Sequence, residues 1–520
     1  MTNYDVIVVG GGHNGLVCAS YLAKSGRKVL VLEANDVAGG GAATREFAPG
    51  YCVSGCAQWL YQLNPEVASD LNLMKHGLEY AARDLDTIGL ATDGNILTVG
   101  AGGVSGARLS AKDIAAYDPF QALMLKFAKL LNGAFKRRAP KLVDNNLHDR
   151  ITLLKLGLDM KMLGKYDMQE LLRLALINMY DVMQETFDDE LLKSVLALDG
   201  VMGSHMGPRS PNTVFGYMYR QLGRVYGFNG PAQVKGGMGA VGAAFAAAAE
   251  SCGVEIRTNA RVSSIDLEAD SATGVTLVGG ESITAGTVVS NADPKTTFEK
   301  LVGFRNIEAG TTRRVSTIRM NGNAAKLHLA LDGLPEFTGL SADQLGQRLV
   351  IAPTMNYIEK AFNHAKYGEF SQAPAMDISI ATVNDASLAP DGKHVLSAIV
   401  QFAPYELKAG WENNKAIFEQ ICIDTLAEYA PGIRSQITAS ELLTPQDLQA
   451  QYNMYGGHWH HGEISLDQIM MMRPFPGSTQ YGTPVDNLYL CSAGAHPGGG
   501  VMGLAGRNAA KEIIKRGKAA

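Results

Sequence analysis

Apolar residues at the start of the chain come in short unbroken blocks separated by glycine. YDVIVV, from Tyr4 to Val9, is a β-branched run of the kind that forms a strand buried on both faces. Gly10, Gly12 and Gly15 follow, then the apolar helical stretch LVCASYLAKSG, with Gly26 placed to end the helix. A second strand, Lys28 to Leu32, stops at Glu33. The same grammar returns late in the chain. KGGMGAVGAAFAAAAESCG, from Lys235, reads as a glycine turn leading into an alanine-rich helix. GVEIRTNARVSSI reads as a strand with its continuation, and TVVSNADP as a strand ending in polar residues. NLYLCSAGAHPGGG supplies one more strand and a loop before a final helix, expected over Val501–Arg516.

Between these blocks the pattern changes. Residues 111–230 carry helical runs rich in Leu and Met, such as LLRLALINMYDVMQETF and ELLKSVLALDGVMG. Residues 311–480 mix strands such as AAKLHLALDG and HVLSAIVQF with the helix NKAIFEQICIDTLAEYAPG. At 520 residues the chain exceeds one ordinary domain. The pattern predicts an α/β class, α+β overall, with a discontinuous nucleotide domain over 1–85, 231–310 and 481–520. A substrate domain is expected over 86–230 and 311–480, with 111–230 largely helical.

The first block carries chemistry. A lone G-x-G-x-x-G is weak evidence, but here a strand precedes it, a helix follows, and an acid ends the next strand. Gly10 permits the tight turn, Gly12 lets backbone approach a pyrophosphate, and Gly15 lets helix and strand pack closely. Glu33 would accept hydrogen bonds from both ribose hydroxyls, which argues against a 2′-phosphate. Gly39, Gly40 and Gly41 then form a second flexible loop where a cofactor longer than NAD would run, which favours FAD. Gly498 to Gly500, before the last helix, are free to serve the flavin ring, because a discontinuous domain brings that helix back beside the first one. A helix N-terminus there stabilises the negative charge of reduced flavin.

Composition narrows the classes. Hydrophobic residues are 46% and charged residues 19%, a globular balance, and the net charge of −5 gives no reason to expect nucleic acid. The six cysteines show no CxxC and read as reduced thiols of a cytoplasmic compartment, with a redox pair at Cys52 and Cys56 as the alternative. No signal peptide and no apolar run long enough to span a bilayer is expected. Residues 111–165 hold eleven Lys/Arg against five Asp/Glu. This is either a core helix with a solvated basic face or a peripheral surface facing anionic lipid. GGHWHHGE brings together His458, His460, His461 and Glu463. If it is a strand, His458 and His460 share a face and His461 points away, so one face offers two ligands and no metal is expected. His461, as part of a polar cavity wall, and His496, beside the late glycines, are the candidate catalytic residues. IMMMRPFP, from Ile469, offers soft side chains suited to a greasy pocket.

Taken together, VVGGGHNGLVCASYL, LEANDVAGGGAATRE, KGGMGAVGAAFAAAA, VVSNADP and LYLCSAGAHPGGGVMGLAGRNAA resemble the carotenoid (phytoene) desaturase-like FAD oxidoreductases. The likeness is to the branch of pyridine nucleotide-disulfide oxidoreductase domain-containing proteins and desaturase-like β-carotene ketolases, carried by GHNGLVCA and HGEISLDQ. The resemblance implies a flavin amine oxidase-like fold, non-covalent FAD, and an apolar substrate beside the isoalloxazine. It assigns Gly10, Gly12, Gly15 and Glu33 to the ADP part, and Gly39, Gly40 and Thr44 to the loop near the flavin; His13, Asn14, Ala34 and Gly41, next to them in these motifs, are further candidate cofactor contacts. Val262 flanks the adenine, and Gly494, Gly500, Val501, Met502 and Leu504 make the late flavin contacts. Gly41 stands where many relatives have Arg, so that charge is missing. The function expected is hydride transfer from a hydrophobic, polyene or isoprenoid-like molecule to flavin N5, of desaturase or oxidase type. An amine or amino-acid oxidase of the same superfold, and a flavin-bound interaction protein with little turnover, are the competitors. The electron acceptor is open between oxygen, a quinone and a protein, and a homo-oligomer is compatible with the sequence.

Overall fold

The computed structural model describes residues 4–143 and 145–517. Its first sheet is built on parallel strands in the order Glu255–Arg257, Val29–Leu32, Tyr4–Val9, Ser282–Ser290 and Leu488–Leu490. Val6 pairs with Val29 on one side and Thr287 on the other. Val6, Ile7 and Val8 are all buried, as a strand covered on both faces requires. The strands Ser271–Leu277 and Val262–Glu268 extend this sheet antiparallel from the first half of Ser282–Ser290. Its members come from both ends and the middle of the chain.

Helix His13–Lys24 packs between helices Gly239–Ser251 and Leu504–Gly517. The contact with the last helix is close because Gly506 lies against Asn14: a Cβ there would sit 2.1 Å from the Asn14 carbonyl oxygen. The final helix starts at Leu504, not at Val501 as expected. Val501 takes a φ of 56° and Gly503 one of 75°, left-handed conformations that cannot continue a helix.

The second sheet has eight strands, from Ile437–Leu443 at one edge through Ala324–Leu331, His394–Gln401, Ala375–Ser379, Arg348–Ile351 and Thr87–Leu90 to the hairpin Ile96–Gly100 and Gly103–Gly106. Its neighbours are antiparallel except Arg348–Ile351 beside Thr87–Leu90, which are parallel. That pairing brings the chain before the helical region against the chain after it. Helix Lys415–Tyr429 covers a separate apolar core, through Phe418 and Leu426.

The described residues of 111–230 form seven helices. The first, Ala111–Phe135, is opened by a Ser110–Asp113 capping box and buries Met124, Phe127 and Phe135. Much of the positive charge of residues 111–165 is locally paired: Lys112 with Asp188, Lys136 with Glu66, and Arg138 with both Asp149 and Glu512. Helix Leu147–Met162 is different, and turns large apolar side chains outward. All six cysteines are free thiols. Among the described residues no helix is long and apolar enough to cross a membrane.

Candidate active site

A cavity of about 490 Å³ lies at the carboxyl ends of the parallel strands. Three of them contribute the residues just past their ends: Gly10 and Gly12, Glu33 and Ala34, then Asn291 and Ala292. Glu33 is buried and both oxygens are engaged. Oε2 accepts from the Gly11 N–H at 2.7 Å and Oε1 from the Asn35 N–H at 2.9 Å. Burial raises its carboxyl pKa, and the two N–H donors oppose that shift. Helix His13–Lys24 has Gly12 as its N-cap with no side-chain cap, so its first N–H groups stand free at the cavity wall. Gly39 donates to the Gly11 carbonyl at 2.9 Å, which seats the second glycine loop directly on the first.

The expected cofactor residues separate into two groups. Gly10, Gly12, His13, Asn14, Glu33, Ala34, Gly40, Gly41, Val262, Gly500 and Val501 line the cavity. Gly15, Gly39, Thr44, Gly494, Met502 and Leu504 do not, and support it from behind. A Cβ on Gly15 would lie 2.4 Å from the Gly10 carbonyl oxygen, the close helix–strand approach expected of that position. Thr44 Oγ1 donates to the Gly236 carbonyl and accepts from the Gly239 N–H, both at 2.8 Å, tying the loop to the later glycine turn. Gly494 lies against Pro294, the Met502 carbonyl accepts from the Asn64 N–H, and Leu504 is the buried first residue of the last helix.

The histidine cluster is not a strand. Tyr455–Gly457 is a single turn of 3₁₀ helix and the chain then winds through turns, with His461 at a φ of 53°. The face argument for two ligands therefore does not apply. Among the described residues no group of His, Cys, Asp and Glu is arranged to hold a metal. His13, His460 and His461 all line the cavity, and His13 Nε2, His460 Nδ1 and His461 Nδ1 are buried without a protein partner. Burial drives His13 and His461 down to about 4, so both rings are neutral at pH 7. His458 is turned instead toward Glu463, its Nε2 3.4 Å from Oε1.

His496 is corrected by the structure. It does not line the cavity. Its Nε2 lies 3.1 Å from the Arg137 carbonyl oxygen and its ring packs edge-on against Phe135. IMMMRPFP is also off the cavity, but it contains a buried clamp. The Arg473 guanidinium donates to the carbonyls of Ala493, Glu463, Gln468 and His460, joining the histidine loop to the late glycine loop.

Beyond the glycine motifs the wall is formed by Gln58, Trp59, Met202, Arg220, Asp377, Ile399 and Trp459. Asp377 was not singled out in the sequence. The signal for it is a lone acid inside the strand AMDIS, where apolar residues flank it. Its Oδ1 accepts from Trp59 Nε1 at 2.9 Å and Gln58 Nε2 at 3.2 Å, and its Oδ2 from Arg348 Nε at 2.8 Å. Arg348 also donates to Asp199, which receives Arg220 Nε at 3.1 Å.

These features fit FAD. The uncapped N–H groups and backbone-on-backbone glycines suit a pyrophosphate, Glu33 sits where a ribose would be, and three buried imidazole nitrogens without a protein partner would suit a polar occupant. The sequence profile of the flavin containing amine oxidoreductases matches residues 15–514. A mouse protein, pyridine nucleotide-disulfide oxidoreductase domain-containing protein 2, is 33% identical over 98% of this chain and 93% of its own length. The neurosporene-forming phytoene desaturase of Cereibacter sphaeroides is 26% identical over 96% of this chain and 92% of its own. Cyclohexylamine oxidase from Brevibacterium oxydans shares the fold, with a TM-score of 0.59 and 15% identity over 99% of this chain and all of that one.

Proposed function

The chain belongs to the family of flavin containing amine oxidoreductases, and from that premise we propose that it is an FAD-dependent oxidoreductase acting on a hydrophobic, polyene or isoprenoid-like molecule in a desaturase or oxidase type of reaction. FAD would be bound non-covalently. Gly10, Gly12 and the N–H groups of His13 and Asn14 would hold the pyrophosphate, Glu33 the ribose, Val262 the adenine side, and Gly40, Gly500 and Val501 the flavin end. Cys56 lies on the cavity wall, but burial pushes its thiol up to about 12, so it stays protonated and unreactive.

Bound flavin supplies a hydride acceptor at N5. The chain's own part is to orient the donor and exclude water. Trp59, Met202, Ile399 and Trp459 supply apolar surface on the substrate side. His461, held neutral, is placed to accept a proton from a substrate that sheds one.

The observation that carries the substrate class is Asp377. It is the one acid on the substrate side of the described cavity wall, and its charge is already met by the buried Arg348, with Trp59 and Gln58 donating to its other oxygen. An ammonium group would find no free carboxylate there, while a neutral apolar donor needs none. The similarity to phytoene desaturase points the same way. Anaerobic bleaching of the flavin absorbance tests the reading. Bleaching by apolar polyene or isoprenoid donors, with amines inert, is expected. Bleaching by amines with apolar donors inert would replace it with an amine oxidase. A protein without flavin that takes up no added FAD would remove the enzyme altogether.

A further inference from the structure

Helix Leu147–Met162 carries its large apolar residues on the wrong side for a core helix. Leu147, Ile151, Leu154, Leu158 and Met162 are spaced four, three, four and four residues apart and are 43% to 74% exposed. At about 100° per residue these five fall within an arc of roughly 80°. Arg150 and Lys161 border that arc on one side and Lys155 on the other, all three exposed and none in an ion pair with another described residue. The opposite face holds the buried Asp149 and Thr152 and is anchored: Asp149 is bound by Arg138 at 3.1 Å and by Gln480 at 2.8 Å. Leu142 and Val143, in the loop just before the helix, are exposed as well.

An apolar stripe bordered by cations on both edges, on a helix lying flat on the protein, is the arrangement that beds into a lipid headgroup layer. The charges decide between occupants. A second copy meeting this face by two-fold symmetry would set Arg150, Lys155 and Lys161 against their own equivalents. No free acid among the described residues of this helix could relieve that. Asp149 is buried in its pair with Arg138, and Asp159 pairs with Arg137. An anionic bilayer supplies both missing partners, hydrocarbon for the stripe and negative headgroups for the borders.

We propose that helix Leu147–Met162 is a peripheral docking surface for an anionic membrane, lying in the interface without spanning it. The surface is separate from the flavin cavity, so it stands or falls independently of the substrate.

The test is vesicle flotation of the full-length, FAD-loaded protein with phosphatidylcholine alone and with phosphatidylcholine containing phosphatidylglycerol. Flotation with the anionic vesicles and its loss at high salt are expected. Lys155→Glu with Lys161→Glu should weaken partitioning by at least roughly thirtyfold. Leu154→Ser with Leu158→Ser should abolish it, with flavin content and melting temperature unchanged in both variants because the altered side chains face solvent. Absence of flotation, or flotation that ignores both double variants, would overturn the proposal. A dimer in size-exclusion chromatography that Leu154→Ser and Leu158→Ser dissociate, with no flotation, would overturn it in favour of a second copy.

Discussion

Asp377 and Arg348 face each other at 2.8 Å across adjacent strands of the second sheet, both side chains almost wholly buried. Asp377 lies in the cavity wall with Arg348 behind it, and the pair fixes what that wall presents. Arg348 neutralises Asp377 from behind while Trp59 and Gln58 occupy it from the front. Arg348→Met would leave Asp377 charged and unpaired in the interior, with Asp199 keeping Arg220. Breaking one side of such a pair costs about 3–5 kcal/mol. Urea denaturation should show a loss of that size, and a loss below about 1 kcal/mol would mean the pair is solvated.

Asp377→Asn separates a structural carboxylate from a substrate-binding one. The amide keeps an oxygen for Trp59, and Arg348 keeps Asp199. Stability falls by about 1–3 kcal/mol. For a neutral apolar donor kcat/KM should change by less than about threefold, since no contact to the donor is charged. An enzyme that used Asp377 to bind an ammonium would instead lose about 2–5 kcal/mol of binding, more than thirtyfold. Steady-state kinetics with the donor that bleaches the flavin distinguishes the two.

Gly12 tests the cofactor cradle with little cost to the fold. Its φ of −67° is open to alanine, so no backbone strain is introduced. The added Cβ would come to 2.8 Å from the Asn291 side-chain amide, which can move, and would stand at the cavity wall. Gly12→Ala should weaken FAD by about tenfold or more while the apoprotein's melting temperature stays close to wild type. Equilibrium dialysis of the flavin reads the first and calorimetry of the apoprotein the second. Unchanged FAD affinity would place the pyrophosphate elsewhere.

The nucleotide-binding half was legible because its signals are local. Strand, Gly10–Gly15 and Glu33 lie within about 30 residues, the reach of one strand–helix–strand unit, and each residue type has a steric or hydrogen-bonding reason. The substrate wall was not legible because its members meet only in three dimensions. Trp59 and Asp377 are 318 positions apart and share a hydrogen bond at 2.9 Å. Arg473 looked like part of a greasy stretch because its partners are backbone carbonyls, which no side-chain pattern reveals. His496 looked catalytic because it is next to the glycines, but loop proximity does not set the direction of a ring. The helix at Leu147 stayed open between a core helix and a lipid-facing surface, since periodicity finds a stripe without saying which side is covered.

The neutral histidines give the protein an acid limit. His496 is buried and His13 and His461 are half-buried at the cavity wall, and desolvation lowers each from 6.5 to about 4. The unfolded chain takes up protons on these rings below about pH 6.5, while the folded chain does not until about pH 4. Between those values the unfolded state binds more protons, so stability falls as the pH falls through this window and levels off below it. At about 1.4 kcal/mol per unit of pKa, each ring withdraws roughly 2 kcal/mol between pH 6.5 and pH 5. Urea melts of the FAD-loaded protein at pH 7 and pH 5 should differ accordingly. His496→Gln removes one titrating ring without touching the cavity wall. It should flatten the pH dependence by roughly 2 kcal/mol and leave the rate of flavin reduction within about twofold, whereas His461→Gln should both flatten the profile and slow a reduction that sheds a proton. Equal slowing by the two variants would return His496 to the chemistry.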